Sequence, residues 1–333
     1  MTQQPEESAK GSRVADPPIG TWVQVGGRRL FVLRTGTGRP PVVFLSGAGT
    51  VGLDYLNVQT LVAELSTSVL YDRAGTGWSD RVTLPRSSRE VIDELDGLLR
   101  TLGLPAPYVL VGHSLGGLYA RHYSARFPDR VAGLVLLDPA HEDYNAYMPE
   151  QLTAMRSGNR KFAVLNAVLG AALSNPLTSR LLAVLPPLRR MQNTYRDLFD
   201  QETKEGFPET VRRELRVRHV SPQWLRAGML EAKNVEDLYR EVKDSGPLPD
   251  IPMIVLCSMA TDGFREVVSS GESQELIHAE IEGKHQLYLD FARTVPRGQV
   301  RPVDAGHLTL HLRHPKEVVR AISDVLGQVS NPG

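Results

Sequence analysis

Tyr108-Val109-Leu110-Val111-Gly112-His113-Ser114-Leu115-Gly116-Gly117 is the stretch on which the fold turns. Residues 108–111 are an apolar run rich in β-formers, which predicts a buried strand. From Gly117 the chain runs through Leu118, Tyr119, Ala120 and on to Phe127, a helical pattern that ends before Pro128. Between them, Gly112 to Gly116 fits G-x-S-x-G. Strand, tight turn and helix form the context in which that pattern has a mechanism, because the turn sets the Ser114 hydroxyl on an exposed corner. Glycines on either side let strand and helix pass closely and accept unusual backbone angles. The helix that starts behind Ser114 offers unpaired N–H groups to negative charge.

Outward from this point, short apolar runs alternate with helical patterns. Residues 29–35, 42–45 and 68–71 read as strands, with a helix near 57–65. Between residues 88 and 102, Val91, Ile92, Leu95, Leu98, Leu99 and Leu102 recur at helical spacing. Val131 to Leu137 is a further strand. Repeated strand–helix units predict a mainly parallel sheet covered on both faces by helices. The alternation stops at about Asp143. From there to Arg226 the pattern is helical, broken at Pro149, Pro176, Pro186-Pro187 and Pro208. A helix near 229–243 and the linker 245–249 lead back to strands at 251–257 and 299–303, with helices at about 273–294 and 315–326. The expected organisation is a disordered polar tail (1–18), an α/β core (19–142 and 227–333) and a helical cap inserted at 143–226.

Composition narrows the field. The chain has 333 residues, 41% of them hydrophobic, and carries 38 basic and 38 acidic side chains, for zero formal net charge. That balance gives no reason to expect nucleic acid or an anionic membrane as partner. Arg212, Arg213, Arg216 and Arg218 read as a solvated helix face. A single cysteine, Cys257, rules out an intrachain disulfide framework and reads as a buried strand residue. The first residues lack the apolar core of a signal peptide, and no stretch reaches the ~18 apolar residues of a membrane span. The expectation is a cytoplasmic protein acting on a small molecule, with its oligomeric state undetermined.

Four separate pieces resemble the α/β-hydrolase fold superfamily: the turn at Gly112 to Gly117, the Asp72-Arg73-x-Gly-x-Gly-x-Ser79 loop, the strand end Leu136-Leu137-Asp138-Pro139, and Ala305-Gly306-His307 before the last helix. The resemblance spans Thr21 to Gly327 apart from the cap. It departs from many members at Ser46-Gly47, where they carry His-Gly. It implies a Ser-His-Asp triad with Ser114 as nucleophile and His307 as base. A serine hydroxyl needs such a base within hydrogen-bond reach. Serine at the turn counts against haloalkane dehalogenase and epoxide hydrolase chemistry, for which the resemblance calls for aspartate.

For the acid, the resemblance allows two positions. Asp262, after the seventh strand, is favoured; Asp138, after the sixth, is the alternative. Both keep the chain order Ser, Asp, His. The oxyanion donors it implies are the backbone N–H groups of Leu115 and Ala48. Trp78 is a candidate pocket wall, as are Leu165, Leu169, Leu182, Leu185, Met191 and Phe199 from the cap. His113 reads as packing, and His311 and His314 as packing or exposed. A metal site from His307, His311 and His314 has no carboxylate or thiolate at suitable spacing, so no metal and no organic cofactor is expected. The resulting expectation is hydrolysis of an apolar ester, lactone or amide of small to medium size. The same triad also supports C–C bond hydrolysis, aminopeptidase action and cofactor-free perhydrolysis, and some members of the fold bind ligands without turnover.

Overall fold

The computed structural model describes residues 15–157, 178, 186–263, 265 and 272–330. Most of the expected 1–18 tail lies outside them. Its centre is an eight-stranded sheet in the order β1-β2-β4-β3-β5-β6-β7-β8. The strands are β1 (Thr21–Val25), β2 (Arg28–Thr35), β3 (Val42–Leu45), β4 (Ser68–Tyr71), β5 (Tyr108–His113), β6 (Val131–Leu137), β7 (Met253–Ser258) and β8 (Gly298–Val303). β2 pairs antiparallel with β1 and with β4, and the remaining pairs are parallel. β1 carries little strand signature in its sequence. Its half-buried residues show no strong alternation, and only the Gly26-Gly27 turn marks the hairpin.

Two-residue periodicity divides the strands between two cores. Val43, Leu45, Leu110, Leu134, Leu136, Met253 and Val255 face one side. There they meet helices α2 (Ser88–Thr101), α3 (Leu115–Arg126), α9 (Val235–Asp244) and α10 (Gln274–Arg293). Val42, Phe44, Val109, Val111, Val135, Ile254 and Leu256 face the other side, against α1 (Leu56–Val62), α11 (Leu310–Arg313) and α12 (Pro315–Ser330). α2 starts with a capping box: Ser87 Oγ accepts from Glu90 N at 3.2 Å while Ser87 N donates to Glu90 Oε2 at 2.9 Å. α12 buries Val318, Ala321, Ile322 and Val325 at helical spacing, and the valines and isoleucine each contribute about 1.5–3 kcal/mol of burial. Cys257 lies in β7, buried, and burial pushes its thiol up to about 12, which suits a packing role.

Between β6 and α9 the described helices are α4 (Tyr144–Tyr147), α5 (Glu150–Ser157), α6 (Pro186–Glu202), α7 (Glu209–His219) and α8 (Pro222–Glu231). The junction expected at residues 226 and 227 falls inside α8. That helix starts at Pro222, where Ser221 Oγ accepts from Trp224 N at 3.3 Å, and nothing in its sequence breaks it before Glu231. The single helix expected at 229–243 is two helices, α8 and α9, separated at Ala232 to Asn234. The basic residues of α7 are spread along a solvated face, with Arg212 on Glu209, Arg216 on Asp200 and Arg218 on Glu214.

Candidate active site

Ser114 joins β5 to α3 with φ 51° and ψ −119°, a region that non-glycine residues enter only when surrounding structure enforces it. The enforcement is visible. Ser114 N donates to Leu137 O at 3.1 Å, and Ser114 O accepts from Gly117 N and Ala140 N at 3.0 and 2.9 Å. A Cβ on Gly112 would sit 2.6 Å from the Gly116 carbonyl and from Gly117 Cα. One on Gly116 would run into the Leu45 carbonyl. Only hydrogen fits where α3 leaves the sheet.

The His307 loop follows β8. His307 Nδ1 lies 2.6 Å from Asp138 Oδ2. The carboxylate is an acceptor only, so Nδ1–H donates and Nε2 keeps the lone pair of the neutral ring. Asp138 ends β6 with φ 44°, buried, and Ser258 N at the end of β7 donates to its Oδ1 at 3.0 Å. Burial raises this carboxyl, but the Lys284 ammonium and His307 outweigh that and hold it well below the usual carboxylate range.

Asp262, the favoured partner from the sequence, does not take this position. Its Oδ1 accepts from Arg265 N and its Oδ2 from Leu308 N, both at 2.9 Å. The side chain is spent on shaping two turns, and its backbone N and Cβ press on Gly306. Asp138 reaches His307 directly from the end of β6, whereas both oxygens of Asp262 are taken by backbone N–H groups.

Ser114, Asp138 and His307 line one cavity of ≈ 870 Å³. Its apolar wall includes Val235, Ile277, Ile281 and Leu308, and its charged wall Glu236, Arg265, Glu280 and Lys284. Trp78 does not line it. It is fully buried beside Phe31 and Trp224, so the expectation that it forms a pocket wall is corrected. Phe199 is likewise packed with Phe207 and His219. Leu165, Leu169, Leu182, Leu185 and the Met191 side chain lie outside the described residues.

Leu115 opens α3, so its N–H is among the first-turn donors that the helix leaves unpaired. The Ser46–Thr50 loop faces it, and a Cβ on Gly47 would lie 3.2 Å from Ser114 Cβ. Arg73 holds this loop in place. Its Nη1 donates to Ser46 O at 2.6 Å and its Nη2 to Gly47 O at 3.0 Å. Glu231, the last residue of α8, receives Arg73 Nε at 2.9 Å and Gly49 N at 3.3 Å. Gly49 (φ +73°) and Gly228 meet so closely that a Cβ on Gly228 would be 2.6 Å from Gly49 Cα. The α8 helix and the loop carrying Ala48 are thus joined through a buried ion pair.

His113 is more than packing. Its Nε2 lies 2.9 Å from His307 O, which only accepts, so Nε2 carries the proton. Nδ1 therefore accepts from Tyr55 Oη at 2.7 Å. Burial keeps His113 neutral, with its pKa well below the ordinary value. Tyr55 Oη also receives Gly47 N at 3.4 Å. This chain ties the Ala48 loop to the backbone of His307. His311 is buried and stacked on Tyr55 at 4.3 Å, and burial lowers it to about 4. Among the described residues the one cluster with metal-ligand types is His141, Glu142 and Asp143. There His141 Nδ1 accepts from Asp143 N and Glu142 is paired with Arg121.

An imidazole, a carboxylate bonded to it and a hydroxyl on a strained corner at a helix start thus line one cavity. The sequence pattern of the Alpha/beta hydrolase family matches residues 42–321, and the chain belongs to that family. Among curated relatives, a (lyso)-N-acylphosphatidylethanolamine lipase of Bos taurus is 35% identical over 179 residues, covering 50% of each chain. The Homo sapiens protein of the same name is 37% identical over 144 residues, 42% of this chain and 40% of its own. The chain thus matches half or less of these relatives' length. Among solved structures, a thermophilic esterase from Thermogutta terrifontis has a TM-score of 0.56 at 22% identity, covering 94% of this chain and all of its own. The epoxide hydrolase CorEH has a TM-score of 0.62 at 18% identity, covering 93% and 98%. These two show the shared fold. Among the described residues no helix is long and apolar enough to cross a membrane.

Proposed function

We propose that this chain is a serine hydrolase that cleaves an ester, lactone or amide of small to medium size through an acyl-enzyme. The observation that carries the reading is the 2.6 Å contact between His307 Nδ1 and Asp138 Oδ2 in the wall of the cavity that Ser114 also lines. In this mechanism Ser114 Oγ attacks the carbonyl carbon while His307 Nε2 takes its proton. His307 returns that proton to the leaving group, then activates water against the acyl-enzyme. Asp138 fixes the imidazole tautomer and faces the positive charge that forms on it. The N–H groups of Leu115 and Ala48 receive the oxyanion, a contribution of about 10²–10³ in rate for each donor in comparable sites.

A cavity of ≈ 870 Å³ lies within the range that encloses drug-sized ligands. The helices α4 to α8 act as the cap, bounded at its far end by Glu231. The test uses a fluorophosphonate probe and p-nitrophenyl esters of increasing acyl length. An N-acylphosphatidylethanolamine and its lyso form are added because the bovine relative's name specifies them. The native chain should label and turn over at least one ester, and Ser114→Ala should do neither. Folded native protein that neither labels nor hydrolyses any of these substrates overturns the reading.

A further inference from the structure

The Asp138 carboxylate has a second cation on it. Lys284 Nζ, from the middle of α10, lies 2.8 Å from Oδ1 and 3.0 Å from Oδ2. With His307 on Oδ2 and Ser258 N on Oδ1, both oxygens are fully engaged. The lysine side chain is 12% exposed and its other border is the cavity. Its placement is built into the helix. One residue earlier, Gly283 sits where a Cβ would strike the Tyr147 carbonyl, and four residues later Tyr288 Oη donates to Pro139 O at 2.7 Å, holding the turn that follows the acid.

We propose that Lys284 is a positioning residue for the Ser114–His307–Asp138 triad: its ammonium clamps both carboxylate oxygens and offsets the charge that Asp138 presents to His307. A carboxylate facing one imidazole stabilises an imidazolium with its full negative charge. Here part of that charge is already answered, so the Asp138–His307 pair holds a proton less firmly than it would without the lysine. When the imidazolium forms, the trio of lysine, aspartate and histidine carries net positive charge beside the oxyanion, which favours the tetrahedral intermediate.

The other groups facing the pair do not duplicate this role. His113 and His311, from β5 and the turn after His307, are buried and held neutral. Asp262 is turned to Leu308 N, and Arg265 is occupied by Glu272 and Glu280. Tyr288 and Cys257, on α10 and β7, are pushed up by burial and stay neutral. Tyr144 donates to Glu280, and Glu236 and Tyr239 enter from α9 as lining residues.

The inference rests on the hydrolase reading, and its test is chosen to be separable from it. The imidazole carbon resonance of His307, assigned through a His307→Gln variant, reports proton uptake by the pair without any turnover. In Lys284→Met the midpoint should move up by about one pH unit, the size expected when a cation within about 6 Å of a part-exposed group is removed. The acid limb of the kcat/KM profile on the best ester should move with it. Lys284→Arg, which keeps the charge, should stay near the native midpoint. Thermal melting confirms that each variant is folded. An unchanged midpoint in folded Lys284→Met overturns the inference, and so does an equal shift in Lys284→Arg. Serine labelling by the fluorophosphonate in native protein then shows whether the hydrolase reading still holds.

Discussion

Replacing Glu231 with glutamine tests how α8 governs the loop carrying Ala48. The pair it breaks is closed to solvent, with Arg73 1% and Glu231 5% exposed, and the nitrogen–oxygen distance is 2.8 Å. At that separation the Coulomb attraction is roughly 6 kcal/mol with an effective dielectric near 20, before desolvation of both groups is subtracted. Removing one partner leaves a buried cation and costs about 3–5 kcal/mol. For a chain of 333 residues, an unfolding entropy near 2.1 cal/mol/K per residue turns that loss into a Tm lower by about 4–7 °C. Activity should fall further than stability implies, because Arg73 also donates to Ser46 O and Gly47 O. Loss of its counter-ion lets the loop drift, and a misplaced oxyanion donor should lower kcat about tenfold or more while KM changes less. Calorimetry and steady-state kinetics on one ester measure both. The double variant Arg73→Met/Glu231→Leu should recover much of the Tm without recovering kcat, since the charge is gone but the loop contacts are not restored. A Glu231→Gln protein with native Tm and native kcat would falsify this account of the clamp.

The remaining predictions concern the proposed triad and its supports. Asp138→Asn should lower kcat by about 10⁴, because the ring loses the partner that sets its tautomer. Asp262→Asn should instead act mainly on stability, by about 1–3 kcal/mol, through the Leu308 and Arg265 amides, and equal kinetic losses in the two variants would contradict the assignment. Tyr55→Phe leaves His113 Nδ1 buried without its donor and should cost about 1–3 kcal/mol together with a measurable loss in kcat. His311 is lowered by burial to about 4, so the unfolded chain binds more protons than the folded one. Its contribution to stability is complete above the unfolded value of about 6.5 and declines as pH falls toward 4. His311→Phe should therefore flatten the fall in Tm between pH 7 and pH 5, and an unaltered slope would count against the buried neutral ring.

The parts of this molecule that could be read in advance are those whose cause is local. β5, the turn at Ser114 and α3 are contiguous, and Gly112 answers to Gly116 and Gly117 a few residues away. The core strands were legible because their apolar runs are short and bounded by turns. The choice between Asp138 and Asp262 had no local answer, since it depends on which strand end lies beside the His307 loop and on Leu308 N claiming Asp262. Tyr55 gave no signal, being one aromatic in a short turn whose partner lies 58 residues away. Arg73 and Glu231 are 158 residues apart. Lys284, within Glu282-Gly283-Lys284-His285, reads as an ordinary charged helix segment. Only the run Glu280, Lys284, Leu287 on one helical face hints that the lysine points inward.

β8 lies at the edge of the sheet, and residue 307 follows it, whereas residues 114 and 138 belong to strands laid down long before. During synthesis the hydroxyl and the carboxylate emerge well before the imidazole. A nascent chain halted before residue 298 owns two of the three groups and no means of moving a proton between them. The proposed catalyst is therefore complete only once β8, the edge strand, has joined the sheet.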